Sequence, residues 1–285
     1  SPGEWRVKHT TMPIEAPEDS VAVARRFVEA RRAARALPDY PGPLPQSLDE
    51  AYARQDAAIA LWDEPVLGWK VGRIPDAWIG PLGEDRLMGP VFESRLQWLE
   101  AGDELTFPVI RGGFAAVEAE YIFVLAHDAD PRRTDYTPFD VADLVRSLHV
   151  GVELAGSPLA TINALGPAVV VSDFGNNAGV YVGRAIDDWR ERPWSRVTCT
   201  TWIDGREAGR GGALSLPGGP LAALAFALNR GAMRGRPLKA GMVVSTGAAT
   251  GIHDILPGQR ALVGFDGLGD FAGRAFTALP LDASA

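Results

Sequence analysis

Beyond residue 65 the chain is interrupted every few residues by glycine or proline, and the whole chain of 285 residues carries 32 Gly and 22 Pro. Between the interruptions lie short apolar, often β-branched runs: 66–74, 117–125, 150–155, 167–172, 178–183, 196–203, 241–246, 260–265 and 271–277. Runs this short, bounded by turn residues, read as strands, and many of them together imply a closed or sandwich-like β architecture with helical additions. Residues 75–113 read as loops with short strands. Thr137-Pro138 opens a short helix, with proline where the first turn tolerates it. Gly219 to Asn229 reads as a helix that interrupts the strands.

The first 65 residues have a different texture. Residues 18–36 have helical periodicity, with Asp19 or Ser20 as cap and Val21, Ala24, Phe27, Val28 and Ala34 on one face. The pairs Arg25-Arg26 and Arg31-Arg32 are expected to face water. After a Pro/Gly turn at 38–45, Ser47-Leu48-Asp49-Glu50 forms a capping box that opens a helix to about Trp62. Its stripe is Leu48, Tyr52, Ile59 and Trp62, with Ala51 and Ala58. The organisation expected is a mostly helical lobe over 1–65 and a β-rich catalytic body over 66–285, an α+β chain.

Several functions are disfavoured by composition. No run of about 18 apolar residues exists, so no membrane helix is expected. Residues 1–12 lack the apolar core of a signal peptide. The lone cysteine, Cys199, allows neither an intrachain disulfide nor a cysteine-based zinc site, and fits a buried strand position and a cytoplasmic setting. Net charge is −8 and no basic run interleaves with aromatics, so nucleic acid is not an expected partner. An anionic substrate would need local positive charge. Only Lys8, Lys70 and Lys239 are lysines among 28 basic residues. A lysine kept in an arginine-rich chain hints at a place where arginine would not serve.

The sharpest local feature is Val117-Glu118-Ala119-Glu120-Tyr121. Strand alternation puts Glu118 and Glu120 on one face. Paired carboxylates repel unless protons, water or a cation intervene, and oxygen ligands suit a hard divalent cation. A solvated polar face would have the same spacing. Glu153 is embedded in the apolar run Val150 to Ala155. Buried alone it would be costly; a shared cation would remove the cost, as would an edge strand facing water. In Gly68-Trp69-Lys70-Val71-Gly72 the flanking glycines would allow close approach of backbone or ligand to Lys70.

Six segments in order resemble the 2-keto-4-pentenoate hydratase family of the fumarylacetoacetate hydrolase-like superfamily. They are Glu50–Gln55, Gly68–Gly72, Val117–Glu120 with Phe123–Leu125, Gly151–Leu154, Ser172–Gly179, and Ala240–Gly241 through Gly247 to Thr250. The resemblance spans about residues 20–277 and implies a mixed, rolled β-structure with an α/β N-terminal portion. It further implies Mg²⁺ or Mn²⁺ held by Glu118, Glu120 and Glu153, Lys70 in the active site, and Asp173 and Thr250 near the pocket. A homo-oligomer and a small anionic 2-oxo acid substrate are implied as well. Three departures stand out. Leu87 takes the place of a pocket aspartate. Arg73-Ile74-Pro75 follows the lysine segment where relatives have a small or apolar residue and then Thr or Ser; Arg73 is taken as a substrate-binding candidate. Leu154-Ala155-Gly156 follows the third glutamate where relatives have an acid and an arginine.

The activity expected from the resemblance is water addition to a 2-hydroxy-2,4-dienoate through a metal-stabilised enolate. Lys70 would assist proton transfer or neutralise the enolate. A base in place of the aspartate would come from Glu84, Asp85, Glu93 or a bound water. The alternatives are decarboxylation of a 2-oxo-3-enedioate, acylpyruvate hydrolysis, and a non-catalytic binding subunit. Hydrolysis ranks lower, because none of His9, His127, His149 and His253 stands just before the Glu-x-Glu strand. His149 reads as a satisfied histidine at a helix end.

Overall fold

The structure is a computed structural model that describes residues 18–281. Residues 1–12, with Lys8 and His9 among them, lie outside the described residues. In chain order the helices are α1 (Glu18–Ala33), α2 (Leu48–Trp62), α3 (Asp76–Leu82), α4 (Pro167–Ser172) and α5 (Pro220–Met233). The strands are β1 (Val66–Arg73), β2 (Arg86–Phe92), β3 (Leu96–Trp98), β4 (Glu104–Val109), β5 (Phe114–Leu125), β6 (Val145–Ser157) and β7 (Asn177–Ala185). They continue with β8 (Thr198–Ile203), β9 (Arg206–Gly212), β10 (Val243–Ser245), β11 (His253–Asp254), β12 (Arg260–Phe265) and β13 (Gly269–Thr277).

Two mixed sheets carry the body. The larger has the order β2-β1-β10-β5-β6-β7-β3, with β11 added beside β5; the smaller is β4-β13-β12-β8-β9. The larger sheet curls on itself. Gly89 of β2 touches the Phe174–Gly175 backbone just ahead of β7, so closely that a Cβ at Gly89 would lie 2.2 Å from the Phe174 carbonyl oxygen. This α+β architecture with a rolled sheet is the one expected.

Alternation along β5 divides its side chains between two interiors. Val117, Ala119, Tyr121, Phe123 and Leu125 join the main core between the sheets, where Tyr121 meets Phe265 edge-on at 5.6 Å. Ile122 and Val124 point into the roll and pack with Val91, Val180, Val182 and Val243. Glu118 and Glu120 share that inward face. The roll is thus plugged with apolar side chains along one stretch and carries carboxylates along the next. Its bore is narrow: a Cβ at Gly151, opposite Glu120, would meet Ile122 Cδ1 at 2.4 Å.

Helix α2 buries its expected stripe, and Ser47 caps it by accepting from the Glu50 amide at 3.1 Å. Helix α1 buries Ala24, Phe27 and Val28 of its expected face together with Val23 and Ala30, but Val21 is only half-buried, Ala34 lies beyond the helix, and Asp19 and Ser20 lie within it rather than at its cap. Helix α1 stops at Ala33, where Ala34 takes a positive φ of 50°. The main core includes residues of α1 and α2 together with both sheets, so it is continuous across residue 65. Among the described residues no helix is long and apolar enough to cross a membrane.

Four local expectations are corrected. The run 167–172 is the helix α4, not a strand; Pro167 starts it, and burial of Ala168, Val169 and Val171 outweighs the β-preference of its valines. The stretch 75–113 contains a helix, α3, despite its internal Pro81. Thr137-Pro138 opens a turn held by Asp140, not a helix. His149 sits in β6 rather than at a helix end, and its ring is satisfied by Ser147 Oγ and the Gly183 carbonyl.

Candidate metal centre and active site

Antiparallel pairing of β5 and β6 places Glu118 directly opposite Glu153, with Glu120 two residues along on the same face. Each of the three offers a carboxylate oxygen, and those oxygens lie within 4.8 Å of one another. All three residues are buried, with exposures of 5% or less. Both water-facing alternatives are thereby removed: the polar face of β5 is not solvated, and β6 is an interior strand.

The surroundings fix two of the three acids. Ser245 Oγ and the Gly247 amide donate to Glu120 Oε2 at 2.9 and 2.6 Å. Asn177 Nδ2 donates to Glu153 Oε2 at 2.7 Å. Lys70, on the neighbouring inward face of β1, places Nζ 3.4 Å from Glu153 Oε1 and donates to the Gly175 carbonyl at 2.7 Å. One ammonium does not balance three carboxylates. Burial, and then the charge of Glu153, push the Glu118 and Glu120 carboxyls well above the ordinary carboxylate range. Burial pulls the Lys70 ammonium down, but Glu153, Glu118 and Glu120 outweigh it, so its net shift is upward. A convergent, oxygen-only donor set with excess negative charge fits a hard divalent cation.

Lys70 and Glu118 open on a cavity of about 370 Å³. Its wall beside Lys70 is Leu87, the cross-strand partner of Gly72 and 3% exposed. The absent Cβ of Gly72 leaves its position 3.3 Å from Leu87 Cδ1 and 3.7 Å from Lys70 Nζ. An acid at position 87 would therefore face Lys70, and this chain has an apolar side chain there. Val170, Leu216, Arg73 and Arg86 also line it. Glu84, Asp85 and Glu93, considered as replacement bases, do not line it, nor do His127, His149 or His253.

Of the remaining expected residues, Arg73 lines the cavity mouth, 57% exposed and paired to Asp76 at 3.0 Å. Asp173 and Thr250 do not line the cavity. The Asp173 carboxylate is occupied by Arg31 at 2.8 and 3.1 Å and by Ser157 Oγ at 2.6 Å. Thr250 Oγ1 is engaged with Thr201 Oγ1 and His253 Nε2. Arg31 overturns the expectation that it faces water: from α1 it reaches Asp173 and the carbonyls of Gly156 and Asn177.

Residues not singled out from the sequence are Asn176, Asn177, Ser245, Gly247 and Arg86. Asn177 and Gly247 lie inside or at the edge of quoted segments, so position in a motif was the available signal. Asn176 is 4% exposed, lines the cavity and leaves its Oδ1 without a partner.

No family model matches the chain. The 2-keto-4-pentenoate hydratase 1 of Dechloromonas aromatica (strain RCB) is 28% identical over 230 residues, which cover 78% of this chain and 83% of that protein. A solved structure of 4-oxalocrotonate decarboxylase from Pseudomonas putida G7, complexed with magnesium and adipate, superposes with a TM-score of 0.75 at 20% identity. It covers 91% of this chain and 98% of its own. Fumarylpyruvate hydrolase from Pseudomonas aeruginosa, in complex with Mn²⁺ and pyruvate, gives 0.52 at 18% identity, over 75% and 91% of the two chains. The chain shares the fumarylacetoacetate hydrolase-like fold of these solved structures. In sequence, the similarity is to a 2-keto-4-pentenoate hydratase, the family its segments resemble. The acidic triad of this chain is a donor set that fits a divalent metal.

Proposed function

We propose that this protein is a divalent-metal-dependent lyase that decarboxylates a 2-oxo-3-enedioate, with Mg²⁺ or Mn²⁺ held by Glu118, Glu120 and Glu153. The observation that carries the choice is Leu87 beside Lys70. Water addition needs a group that takes a proton from water near the remote alkene carbon. Among the described residues no carboxylate but Glu118 lines this cavity, and Leu87, Val170 and Leu216 make much of its wall apolar. Loss of CO₂ needs no such base, and an apolar wall favours it because the leaving carboxylate gives up its charge.

The cation would supply Lewis-acid stabilisation to the 2-oxo oxygen and orient the adjacent carboxylate. The bond from the distal carboxylate to its neighbouring carbon breaks and CO₂ departs. The electron pair passes along the conjugated chain to the 2-oxo oxygen, which takes a proton to give a 2-hydroxy-2,4-dienoate. The Lys70 ammonium, fixed by the Gly175 carbonyl, stands where that negative charge collects. Asn177 and Ser245 hold Glu153 and Glu120 in place.

Hydration of a 2-hydroxy-2,4-dienoate is the second reading, favoured by the name of the relative from Dechloromonas. One experiment separates the two. Metal-stripped protein is given Mg²⁺ or Mn²⁺ with 2-oxo-3-hexenedioate, and separately with 2-hydroxypenta-2,4-dienoate, and products are identified by mass. Metal-dependent CO₂ release from the enedioate is expected. Gain of water by the dienoate with no CO₂ release would transfer the assignment to the hydratase. The homo-oligomer implied by the family is checked by sedimentation of the same preparation.

A further inference from the structure

The outer rim of the cavity is built from two arginines that the enolate chemistry does not use. Arg73 ends β1, Arg86 begins β2, and they are direct partners across the antiparallel pair. Like charges directly opposite each other destabilise a strand pair, so the sheet gains nothing from this arrangement. Arg86 is held in place, its side chain 11% exposed and Nη2 donating to the Pro217 carbonyl. Burial, and then Arg73, depress its pKa. Arg73 is the looser partner, with a side chain that is 57% exposed.

Each arginine has an acid nearby, Asp76 at 3.0 Å from Arg73 and Asp85 at 3.6 Å from Arg86. Both acids are exposed and neither lines the cavity, whereas both arginines do. The Arg73–Asp76 pair is exposed on both sides and contributes little, so another anion can compete for the Arg73 guanidinium. In a protein of net charge −8, the cavity is lined by Lys70 and Glu118 of the acidic centre, then by Leu87, and along the same strand pair by the cationic rim of Arg73 and Arg86. A ligand complementary to that sequence has a cation-chelating head, an apolar middle and an anionic tail.

We propose that the Arg73–Arg86 rim is a specificity-determining subsite for a second, distal carboxylate, and that it selects 2-oxo diacids over 2-oxo monoacids of the same length. The proposal rests on the assignment of the cavity to a 2-oxo acid and deepens it. It also constrains the mechanism. Two guanidiniums in firm contact with the leaving carboxylate would hold its charge and oppose loss of CO₂. The rim therefore serves capture and orientation, which appear in KM, and the bond breaks against the apolar wall at Leu87.

The test uses 2-oxoadipate and 2-oxohexanoate, which have equal chains and lack the alkene that decarboxylation requires. Each is titrated calorimetrically into Mn²⁺-loaded protein at low and high salt. The diacid is expected to bind about three- to tenfold tighter at low salt, with the ratio shrinking as salt screens the rim. Arg73→Gln should bring the ratio toward unity. Asp76→Asn should widen it, because it removes the competing acid; a damaged fold would not produce a gain. Equal affinities in the wild-type protein, or an unchanged ratio in Arg73→Gln, would overturn the subsite. The two assignments fail separately. If neither acid binds, the cavity is not a 2-oxo acid site; if both bind equally, only the rim proposal falls.

Discussion

Two clusters of buried charge meet at the end of β6 and differ in one respect. Arg31 and Asp173 form a balanced pair, with side chains 8% and 0% exposed, and Ser157 and backbone carbonyls satisfy what remains of their hydrogen-bonding capacity. Among the described residues Glu118, Glu120 and Glu153 face a single cation, Lys70, and they are as deeply buried. Asn177 connects the clusters: its carbonyl accepts from Arg31 and its amide donates to Glu153. Burial of charge is common to both and so does not mark function. The imbalance does, because an excess of buried carboxylate is tolerated only where protons or a cation can make it up.

The largest expected effect breaks the balanced cluster. Arg31→Ala leaves Asp173 buried without its counter-charge, and removing one partner of such a pair costs about 3–5 kcal/mol. Denaturant unfolding of the metal-free protein measures it. A loss below about 1 kcal/mol, the range of an exposed pair, would mean that the Arg31 pair is not buried in solution.

Next comes the unbalanced cluster. Glu118→Gln keeps the shape and removes a ligand charge, and Mn²⁺ affinity should fall by about 10²-fold or more, read by titration calorimetry. Full affinity in this variant would sink the metal assignment of β5. Lys70→Ala should leave the metal bound and slow turnover of the accepted substrate by about 10²-fold. Unchanged kinetics would remove Lys70 from the mechanism.

The contrast between the clusters also separates what the sequence discloses from what it does not. Glu118 and Glu120 could be placed on one face because strand alternation is a local rule, and the same rule put Tyr121 and Phe123 in the core. That Glu153 lies opposite Glu118 depends on register between strands, which only the motif order hinted at. The role of Arg31 is not legible in the sequence, because a helix pattern tells which face is apolar, not that a long side chain at its edge will find an acid 142 residues away. Asp173 shows the converse. Its segment was recognisable, yet its partners, and hence its distance from the cavity chemistry, are set by tertiary packing. The α4 run misled because three consecutive valines carry the same local signature in a buried strand and in a short packed helix.

A smaller effect concerns which reaction the cavity supports. Leu87→Asp puts an acid on the wall facing Lys70, where it can activate water. The ratio of hydration to decarboxylation, followed by product mass, should rise. If it stays fixed while the variant folds and binds Mn²⁺, the apolar wall does not choose between the two reactions.

The smallest effect is the most specific to the comparison, since it reverses sign between the clusters. In the metal-free protein the Glu118 and Glu120 carboxyls are pushed up from their ordinary value of 4.5, chiefly by burial and then by Glu153. A raised carboxyl pKa means that the folded chain holds its protons more tightly than the unfolded chain does. Its contribution is therefore fully present below the ordinary carboxyl range and is lost as pH rises through the raised values. Metal-free protein should lose Tm as pH rises above about 4.5, the ordinary carboxyl value. Saturating Mn²⁺ should flatten the slope, because the cation replaces the protons. Glu118→Gln removes one of the competing charges and leaves no carboxyl at that position to titrate. It should raise the metal-free Tm by a few degrees near neutral pH, the shift that about 1 kcal/mol produces in a chain of this size. Neutralising a residue of the balanced pair lowers stability; neutralising one of the unbalanced three raises it. A lower Tm for Glu118→Gln without metal would mean that the carboxylates are compensated by the protein alone, and the case for a cation from charge imbalance would be lost.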